Sequence, residues 1–379
     1  MDTSSLHTTM HRQPLALLRR SLLLAGLGHI AGVQALPPRQ LAFPRDFGAH
    51  PDLRTEWWYI TGHANAGDRL FGFQLTFFRS RVDATQGMVS RLAARQLIFA
   101  HAAVTDVQSK KLWHDQRIAR TSGDSQFDQA HASERDTDIA LRDWTLKRHG
   151  TPAGDIYDAQ IVANDFQLAL QFTARQPLLL QGSQGLSRKG PAPEQASYYY
   201  SQPQLAVRGR ITLKGQHHTL DTNAQAAAWL DHEWSEALLH PQAVGWDWIG
   251  INLFDGSALT AFHLRNRDGN TLWDGGSFRS GANAGQAPAR IFQRGEVGFT
   301  PLRRWQSPAS QARYPVEWMV QTPSGRFTVK AIVDNQELDS RASTGAIYWE
   351  GLSDLFDNQG RHVGRGYLEM TGYAGAMQM

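Results

Sequence analysis

The 379-residue chain contains no cysteine, which excludes disulfides, thiolate nucleophiles and zinc sites built from thiolates. Helical periodicity is scarce, and no apolar run is long enough to cross a bilayer as a helix. The net charge is only +3, and no stretch interleaves lysine and arginine with aromatic residues. The sequence therefore lacks the basic surface that nucleic-acid binding requires, and its stability must come from its core.

The N-terminus has the pattern of an export signal. Arg12, Arg19 and Arg20 precede an apolar run over residues 22–33, which ends in the small-residue pattern Val-Gln-Ala. This predicts a signal peptide over residues 1–35 and a mature protein that is periplasmic or secreted. The Arg19-Arg20 pair also fits a twin-arginine signal, so the export route stays open.

The remaining chain is rich in short runs of alternating apolar and polar residues. Examples are EWWYITGHA from Glu56, LFGFQLTFFRS from Leu70, FQLALQFTA from Phe166 and WDWIGINLF from Trp246. Such runs, separated by turn residues, predict an all-β protein of antiparallel barrels or sandwiches. The length exceeds one hydrophobic core, which predicts two domains.

A weak internal repeat is consistent with two similar halves. Its matching positions are Trp58, Gly67, Leu70, Phe73 and Leu75 in the first half, and Trp248, Gly256, Leu259, Phe262 and Leu264 in the second. The polar stretch 217–225 is the best candidate for the boundary between halves. Residues 182–195, rich in glycine and proline, predict a long loop or lid.

Standard catalytic motifs are missing. Residues 185–190 have the wrong spacing for a Gly-x-Ser-x-Gly elbow. A zincin motif starting at His232 fails because Glu236 stands where the second histidine is needed. His217 and His218, as neighbours on an extended chain, point apart. We therefore expect no metal site and no cofactor.

The stretch AAWLDHEWSEALL, residues 227–239, concentrates ionisable groups between tryptophans. As a strand it would alternate between two faces. One face would carry Trp229, Asp231 and Glu233, and the other would carry Leu230, His232 and Trp234. Paired carboxylates raise each other's pKa, so one can stay protonated near neutrality, and a histidine titrates in that range unaided. Either face could supply acid–base chemistry, or the groups could be satisfied structurally.

Three further acids lie in apolar surroundings. Asp247 shares its predicted face with Ile249 and Ile251, and Glu56 and Glu350 each adjoin two aromatic residues. A buried carboxylate must be hydrogen-bonded, paired or protonated. Each acid is therefore either a structural anchor or a tuned acid.

Aromatic residues cluster near these acids in the sequence. The candidate ligand-binding rings are Trp57, Trp58, Tyr59, Tyr199, Trp229, Trp234, Trp246, Trp248, Tyr348 and Trp349. They could simply fill a core, or they could line a cavity for a large apolar ligand. Ring faces can also stabilise a developing carbocation.

The segments HPDLRTEWWYITGHA, GLSRKG, SYYYS, AWLDHEWS, GWDWIGINLFDG, YPVEW and GRGYLEMTGY occur in an order that resembles the AttH/CrtC family. These lipocalin-like proteins are often described as predicted secreted hydrolases or carotenoid 1,2-hydratases. The resemblance covers nearly the whole mature chain. It implies two lipocalin-like barrels, over residues 36–225 and 226–379.

The resemblance also implies a function and site residues. A hydro-lyase would add water to an apolar isoprenoid or lipid alkene, with Asp231 or Asp247 as proton donor and His232 positioning or deprotonating the water. Glu233, Trp234 and Trp246 belong to the same implied site. The alternative is a non-enzymatic carrier of a hydrophobic ligand, associated with ABC transporter components. A hydrolase is less consistent with the sequence, because it contains no nucleophile motif.

Overall fold

Strands make up nearly all of the regular structure. The computed structural model describes residue 1 and residues 35–151, 154–222, 226–237 and 239–377, so residues 2–34 of the predicted signal peptide lie outside the described residues. Helical turns in the described part are three 3₁₀ segments, Arg45–Phe47, Asp83–Thr85 and Gly281–Asn283. None of these helices has the length and hydrophobicity needed to cross a membrane.

The first sheet contains the strands up to Ala237. They are β1 Thr55–Ala66, β2 Arg69–Arg81, β3 Gln96–Asp106, β4 Lys111–Thr121, β5 Ala130–Ala132, β6 Asp138–Leu141, β7 Trp144–Thr151, β8 Gly154–Val162, β9 Phe166–Thr173, β10 Leu179–Leu180, β11 Leu186–Arg188, β12 Ala196–Leu213, β13 Gln216–Thr219 and β14 Ala227–Ala237. Their order is β4-β3-β2-β1-β14-β12-β9-β8-β7-β6-β5, and β10, β11 and β13 pair with β12. All the pairings are antiparallel.

The second sheet contains the remaining strands. They are β15 Gly245–Leu253, β16 Ala258–Arg265, β17 Thr271–Arg279, β18 Arg290–Phe292, β19 Gly298–Gln306, β20 Arg313–Thr322, β21 Gly325–Ala331, β22 Glu337–Ser340, β23 Ala346–Phe356 and β24 His362–Met370. Their order is β18-β17-β16-β15-β24-β23-β21-β20-β19, and β22 pairs with β23.

Each sheet encloses its own hydrophobic core. Trp58, Phe73 and Trp234 belong to the core of the first sheet, and Ile251 and Trp349 belong to the core of the second. Burial of these large side chains is the main favourable term in folding. The prediction of an all-β chain with two tandem lipocalin-like antiparallel barrels is confirmed.

The change from one sheet to the other falls after β14 and not before it. β14 lies between β1 and β12, with Trp58 opposite His232 and Tyr200 opposite His232 on the other side. The sequence placed β14 at the start of a second barrel over 226–379. The polar stretch 217–225 was expected to link the two halves, but most of β13 lies in it, and β13 pairs with β12. Its residues are polar because they belong to a solvent-exposed strand and not to a linker.

The internal repeat corresponds to the opening hairpin of each sheet. Gly67 connects β1 to β2 with φ 61°, and Gly256 connects β15 to β16 with φ 84°, a conformation that favours glycine. The last strand of each half then pairs with the first, as β14 with β1 and β24 with β15. AWLDHEWS is therefore the closing strand of the first half, as GRGYLEMTGY is of the second.

A third apolar cluster lies between the two sheets, where β1 faces β24 and β14 faces β15. It includes Tyr59, Trp229, Trp248, Phe262 and Tyr367. The rings of Tyr59 and Trp248 meet edge to face across the sheets, with centroids 5.5 Å apart. We call this region the inter-sheet layer.

Candidate functional site

The two faces of β14 lead to two different environments. His232 and Trp234 point into the first core, whereas Asp231 and Glu233 point into the inter-sheet layer with Trp229. The predicted alternation of this stretch is confirmed. Its consequence is that His232 and Asp231 cannot act on one substrate atom, because the strand itself separates them.

On the core side, Glu56 is the centre of a fully buried network. Its Oε1 accepts hydrogen bonds from His50 Nδ1 at 2.7 Å and His232 Nε2 at 2.8 Å, and its Oε2 accepts from Arg79 Nε at 2.8 Å. His232 Nδ1 lies 3.1 Å from the Tyr200 hydroxyl. The network ties the segment before β1 to β1, β2, β12 and β14.

Burial alone would raise the pKa of Glu56, but hydrogen bonds from His232 and His50 and the charge of Arg79 outweigh it and hold the pKa well below its usual range. Burial lowers the pKa of His232 to about 4, although Glu56 opposes that shift. His232 is therefore neutral near pH 7. Glu56, as an ionised and paired carboxylate, is a structural anchor.

The same network is also the strongest candidate for a metal site. His50, Glu56 and His232 place three ligand-type atoms within 4.8 Å of one another. Each of these atoms already has a hydrogen-bond partner, and the Arg79 guanidinium places a positive charge against Glu56. A divalent cation would have to displace the protons of these hydrogen bonds, and it would be repelled by the nearby charge of Arg79. We therefore interpret the cluster as a hydrogen-bonded anchor.

Asp247 lies in the second sheet, on its core face. Its Oδ2 accepts from His263 Nε2 at 2.6 Å and Arg265 Nε at 2.8 Å, and its Oδ1 accepts from the Tyr373 hydroxyl at 3.0 Å. Burial would raise the pKa of Asp247, but the charges and hydrogen bonds of Arg265 and His263 lower it overall. An ionised, fully paired carboxylate is a poor proton donor, which argues against the donor role predicted for Asp247.

Asp231 occupies the inter-sheet layer and accepts three hydrogen bonds. Its Oδ2 accepts from the Tyr199 hydroxyl at 2.8 Å, and its Oδ1 accepts from Ser201 at 2.5 Å and Trp229 Nε1 at 2.7 Å. Burial raises the pKa of Asp231 to about 7, against these three donors, and the charge of Glu233 adds to the increase. This is the pKa of a group that can exchange protons near neutrality.

Glu233 lies two residues further along the same face of β14, and its charge is balanced by Lys189. Its Oε1 accepts from Ser197 at 2.5 Å and lies 3.0 Å from Lys189 Nζ. Lys189 belongs to the predicted loop 182–195, and its ammonium group lies over the rings of Tyr199 at 4.8 Å and Phe262 at 4.4 Å. The loop therefore closes one side of the inter-sheet layer.

The second sheet contributes two more carboxyl groups, Glu350 on β23 and Glu369 on β24. They are directly opposite each other in the strand register. Burial raises the pKa of Glu350 well above its usual range, and the charge of Glu369 adds to this. Burial also raises the pKa of Glu369 to about 7, with contributions from Asp231 and Glu233. At least one of the two carries a proton at neutral pH.

Sequence reasoning missed Glu369. The signal was available, because Tyr367 and Glu369 alternate with the apolar Leu368 and Met370 along GRGYLEMTGY. Leu368 and Met370 pack in the second core. Glu369, like Asp231, lies on the closing strand of its half.

Both carboxyl groups pair with the opening strand of their own half. Asp231 on the closing strand β14 is opposite Tyr59 on β1, and Glu369 on the closing strand β24 is opposite Trp248 on β15. Each half thus presents one carboxyl group with a pKa of about 7 to the space between the sheets.

The predicted ligand-binding rings divide between four places. Those in or beside the inter-sheet layer are Trp57, Tyr59, Tyr199, Trp229, Trp246 and Trp248. Tyr348 lies near Glu350 but packs in a small separate cluster with Ala103 and Leu338. Trp58 and Trp234 lie in the first core and Trp349 lies in the second, because each stands on the opposite face of its strand. These three rings fill cores and do not line the layer, so their predicted ligand-binding role is not supported.

Two buried groups of the layer lack normal hydrogen bonds. Among the described residues, none forms a hydrogen bond of normal geometry with the Tyr59 hydroxyl or with Glu350 Oε1. Both side chains are more than nine-tenths buried, at 6% and 3% exposure. Buried polar atoms without good hydrogen bonds are costly and call for an explanation, and Trp234 Nε1 in the first core is another example. Trp57, Trp246 and Glu369 are partly exposed at the edge of the layer.

A separate cavity of about 910 Å³ opens beside Arg79 at the end of the first sheet. Its described lining includes the exposed residues Arg95, Glu134 and Arg142 and no phenylalanine, tyrosine or tryptophan. An apolar ligand would gain little there, so the inter-sheet layer is the better candidate site.

Comparisons with known proteins agree with this architecture. The AttH-like family matches residues 34–373. A crystal structure assigned to AttH from Nitrosomonas europaea is 44% identical and covers 89% of this chain and 99% of its own, with a TM-score of 0.80. Kievitone hydratase from Nectria haematococca is 13% identical over 91% of this chain and 95% of its own, with a TM-score of 0.65.

CghA is 11% identical over 88% of this chain and 94% of its own, with a TM-score of 0.52. Comparison with curated protein sequences gives no match. The two distant likenesses concern the fold, whereas the family match spans nearly all of the described chain. The protein belongs to the AttH-like family.

Proposed function

We propose that the protein is a hydro-lyase that adds water to an alkene bound in the inter-sheet layer. The observation that carries this proposal is the arrangement of Asp231, Glu350 and Glu369, whose raised pKa values keep protonated and ionised carboxyl groups together near neutral pH. Hydration of an unactivated alkene needs both forms, an acid to protonate carbon and a base to take a proton from water. The hydratase fold likeness is consistent with this chemistry.

Glu369 is our candidate for the proton donor. It is partly exposed, so a ligand can reach it, and Glu350 opposite it disfavours loss of its proton. Transfer of that proton forms a carbon–hydrogen bond at one alkene carbon and leaves a carbocation at the other. The alkene π electrons form the new bond, and Glu369 is left ionised.

Aromatic rings would stabilise the cation. Trp229 and Trp248 meet edge to face with centroids 6.3 Å apart, and Tyr59 lies against Trp248. The negative faces of such rings attract positive charge, most strongly in surroundings from which water is excluded. This is the role the sequence suggested for the aromatic residues, now restricted to those between the sheets.

Asp231 is our candidate for the base. The three donors that hold its carboxylate favour the ionised form and fix its orientation. A water molecule that attacks the carbocation forms the carbon–oxygen bond and loses its proton to Asp231. His232, neutral and on the other side of β14, has the supporting role of holding β14 against β1 through Glu56.

We also propose a class of substrate and a cellular location. The apolar rings suit an isoprenoid or lipid chain, and the N-terminal pattern favours action in the periplasm or outside the cell. ABC transporter components at the membrane are the proposed protein partners. These points rest on the sequence, since the signal segment lies outside the described residues.

The test is to incubate the purified protein with acyclic isoprenoid alkenes in water labelled with heavy oxygen. The proposal predicts an alcohol that carries one labelled oxygen, formed by the wild type and not by Asp231→Asn or Glu369→Gln. Matched controls are Asp143→Asn and Glu134→Gln, both exposed in connections between strands of the first sheet. Binding without conversion, unchanged in Asp231→Asn, would instead identify a carrier.

A further inference from the structure

We infer that the inter-sheet layer is a binding site for organic ammonium ions, in which an alkylammonium group is held by aromatic rings and by carboxyl groups that have no lysine or arginine partner among the described residues. The inference deepens the proposed function, on which it rests for the location of the site. An ammonium ion would take the position of the carbocation. Ammonium binding depends only on the contacts described below and can be measured whether or not the protein catalyses a reaction.

The first observation is a contrast in how buried acids are compensated. Glu56, Asp106 and Asp247 each form an ion pair with an arginine. In the described part of the chain, Asp231, Glu350 and Glu369 form no ion pair with lysine or arginine, and only Glu233 does so in this layer. Buried charges are normally paired. Without a basic partner these groups become neutral by keeping a proton, and a cation from outside the protein can take the place of that proton.

The second observation is the unsatisfied pair of polar atoms at the same place. Glu350 Oε1 and the Tyr59 hydroxyl form no hydrogen bond of normal geometry with any described residue, although the Tyr59 and Tyr348 hydroxyls lie near enough to Glu350 to oppose the increase in its pKa. Glu350 Oε1 can accept from an N–H donor, and so can the Tyr59 oxygen. A protonated tertiary amine supplies one such donor together with a positive charge.

The third observation is that the layer already holds one ammonium group. Lys189 Nζ lies between the rings of Tyr199 and Phe262 at 4.8 and 4.4 Å. Lys189 is only 6% exposed and pairs with Glu233. The chain thus uses aromatic faces of both sheets plus one carboxylate to hold this cation. The remaining carboxyl groups and tryptophans of the layer provide the same combination for a second cation.

The experiment compares three probes that share an octyl chain, using the full-length protein. They are dimethyloctylammonium, the tertiary alcohol of the same shape, and the carboxylate of matching length. Calorimetry measures each affinity. We expect the ammonium ion to bind at least about tenfold more tightly than the alcohol, and the carboxylate to bind more weakly than either.

Glu369→Gln provides the decisive variant. The inference predicts that its preference for ammonium over alcohol falls to within about threefold, while alcohol affinity stays near that of the wild type, which also shows that the variant is folded. Glu134→Gln, an exposed control, should keep the full preference. Equal affinity of the wild type for ammonium and alcohol would overturn the inference, and so would an unchanged preference in Glu369→Gln.

The outcomes separate this inference from the proposed function. Ammonium preference without any alkene hydration supports the cation site and removes the hydro-lyase proposal. Hydration without ammonium preference retains the hydro-lyase and overturns the cation site.

Discussion

Glu350 and Glu369 lie directly opposite each other on adjacent antiparallel strands, and both face the first sheet. Like charges in this arrangement repel, so the pair holds a proton that either carboxylate alone in water would lose. The placement of this pair against Asp231, which belongs to the other half of the chain, is what makes the inter-sheet layer chemically distinctive.

Replacement of Arg79 tests the structural role of the core network. Arg79→Met removes the arginine that balances the buried charge of Glu56 and leaves only the hydrogen bonds from His50 and His232, so we expect a loss of about 3–5 kcal/mol in the free energy of unfolding. Arg81→Met is the matched control on the same strand, because Arg81 pairs with the partly exposed Glu236 and its loss should cost about 1 kcal/mol or less. Thermal and denaturant unfolding measure both. Equal losses in the two variants would refute the anchor role of Arg79.

The pH dependence of stability should reflect the raised pKa values in the layer. Asp231 and Glu369 titrate near 7 when folded, but near 3.8 and 4.5 in the unfolded chain. The folded state therefore binds more protons between these values, and its stability falls as pH rises from about 4 to about 7. Comparison of melting temperatures of the wild type and the Asp231→Asn/Glu369→Gln double variant measures this effect. The double variant should show a flatter profile across that range, and parallel profiles would contradict the assignment.

The two aspartates first considered as proton donors should respond differently to amidation. Asp231→Asn should reduce alkene hydration by about 100-fold or more, because it removes an acid–base group in contact with the layer. Asp247→Asn should mainly lower stability, since it breaks buried pairs with His263 and Arg265. Rates per folded molecule, measured well below each melting temperature, separate the two effects. An equal catalytic loss in Asp247→Asn would restore Asp247 as a donor candidate.

Gly250 tests the packing of the rings between the sheets. A Cβ atom there would collide with the ring of Trp248 and approach that of Trp229 to 3.2 Å. Gly250→Ala should therefore displace both rings and weaken the Trp229 hydrogen bond to Asp231, lowering affinity for the octyl probes about tenfold. Gly87→Ala, where the added Cβ contacts nothing, is the control. Unchanged probe affinity in Gly250→Ala would place the ligand elsewhere.

Much of the fold could be predicted from the sequence, because period-two alternation is a strong local signal. The two faces of β14 followed from Trp229, Asp231 and His232 alone. What could not be predicted was which sheet β14 joins, since its partners Trp58 and Tyr200 are distant in the chain. That non-local pairing decided the position of the boundary.

The site could be predicted only in part, because the partners of its acids are also distant in the chain. Local sequence drew attention to Asp231 and Glu350, but it could not show that Arg79 compensates Glu56 or that Arg265 compensates Asp247. Those partners distinguish an anchor from a tuned acid. Glu369 escaped notice because its importance arises only from the strand opposite it.

The most direct test of the account is a titration of the side-chain carboxyl groups by carbon NMR on the full chain. The account predicts two carboxyl resonances that titrate near pH 7, one lost in Asp231→Asn and the other lost in Glu369→Gln. If every carboxyl resonance titrates below about 5, as ordinary carboxylates do, the layer holds no acid at neutral pH and the central claim is contradicted.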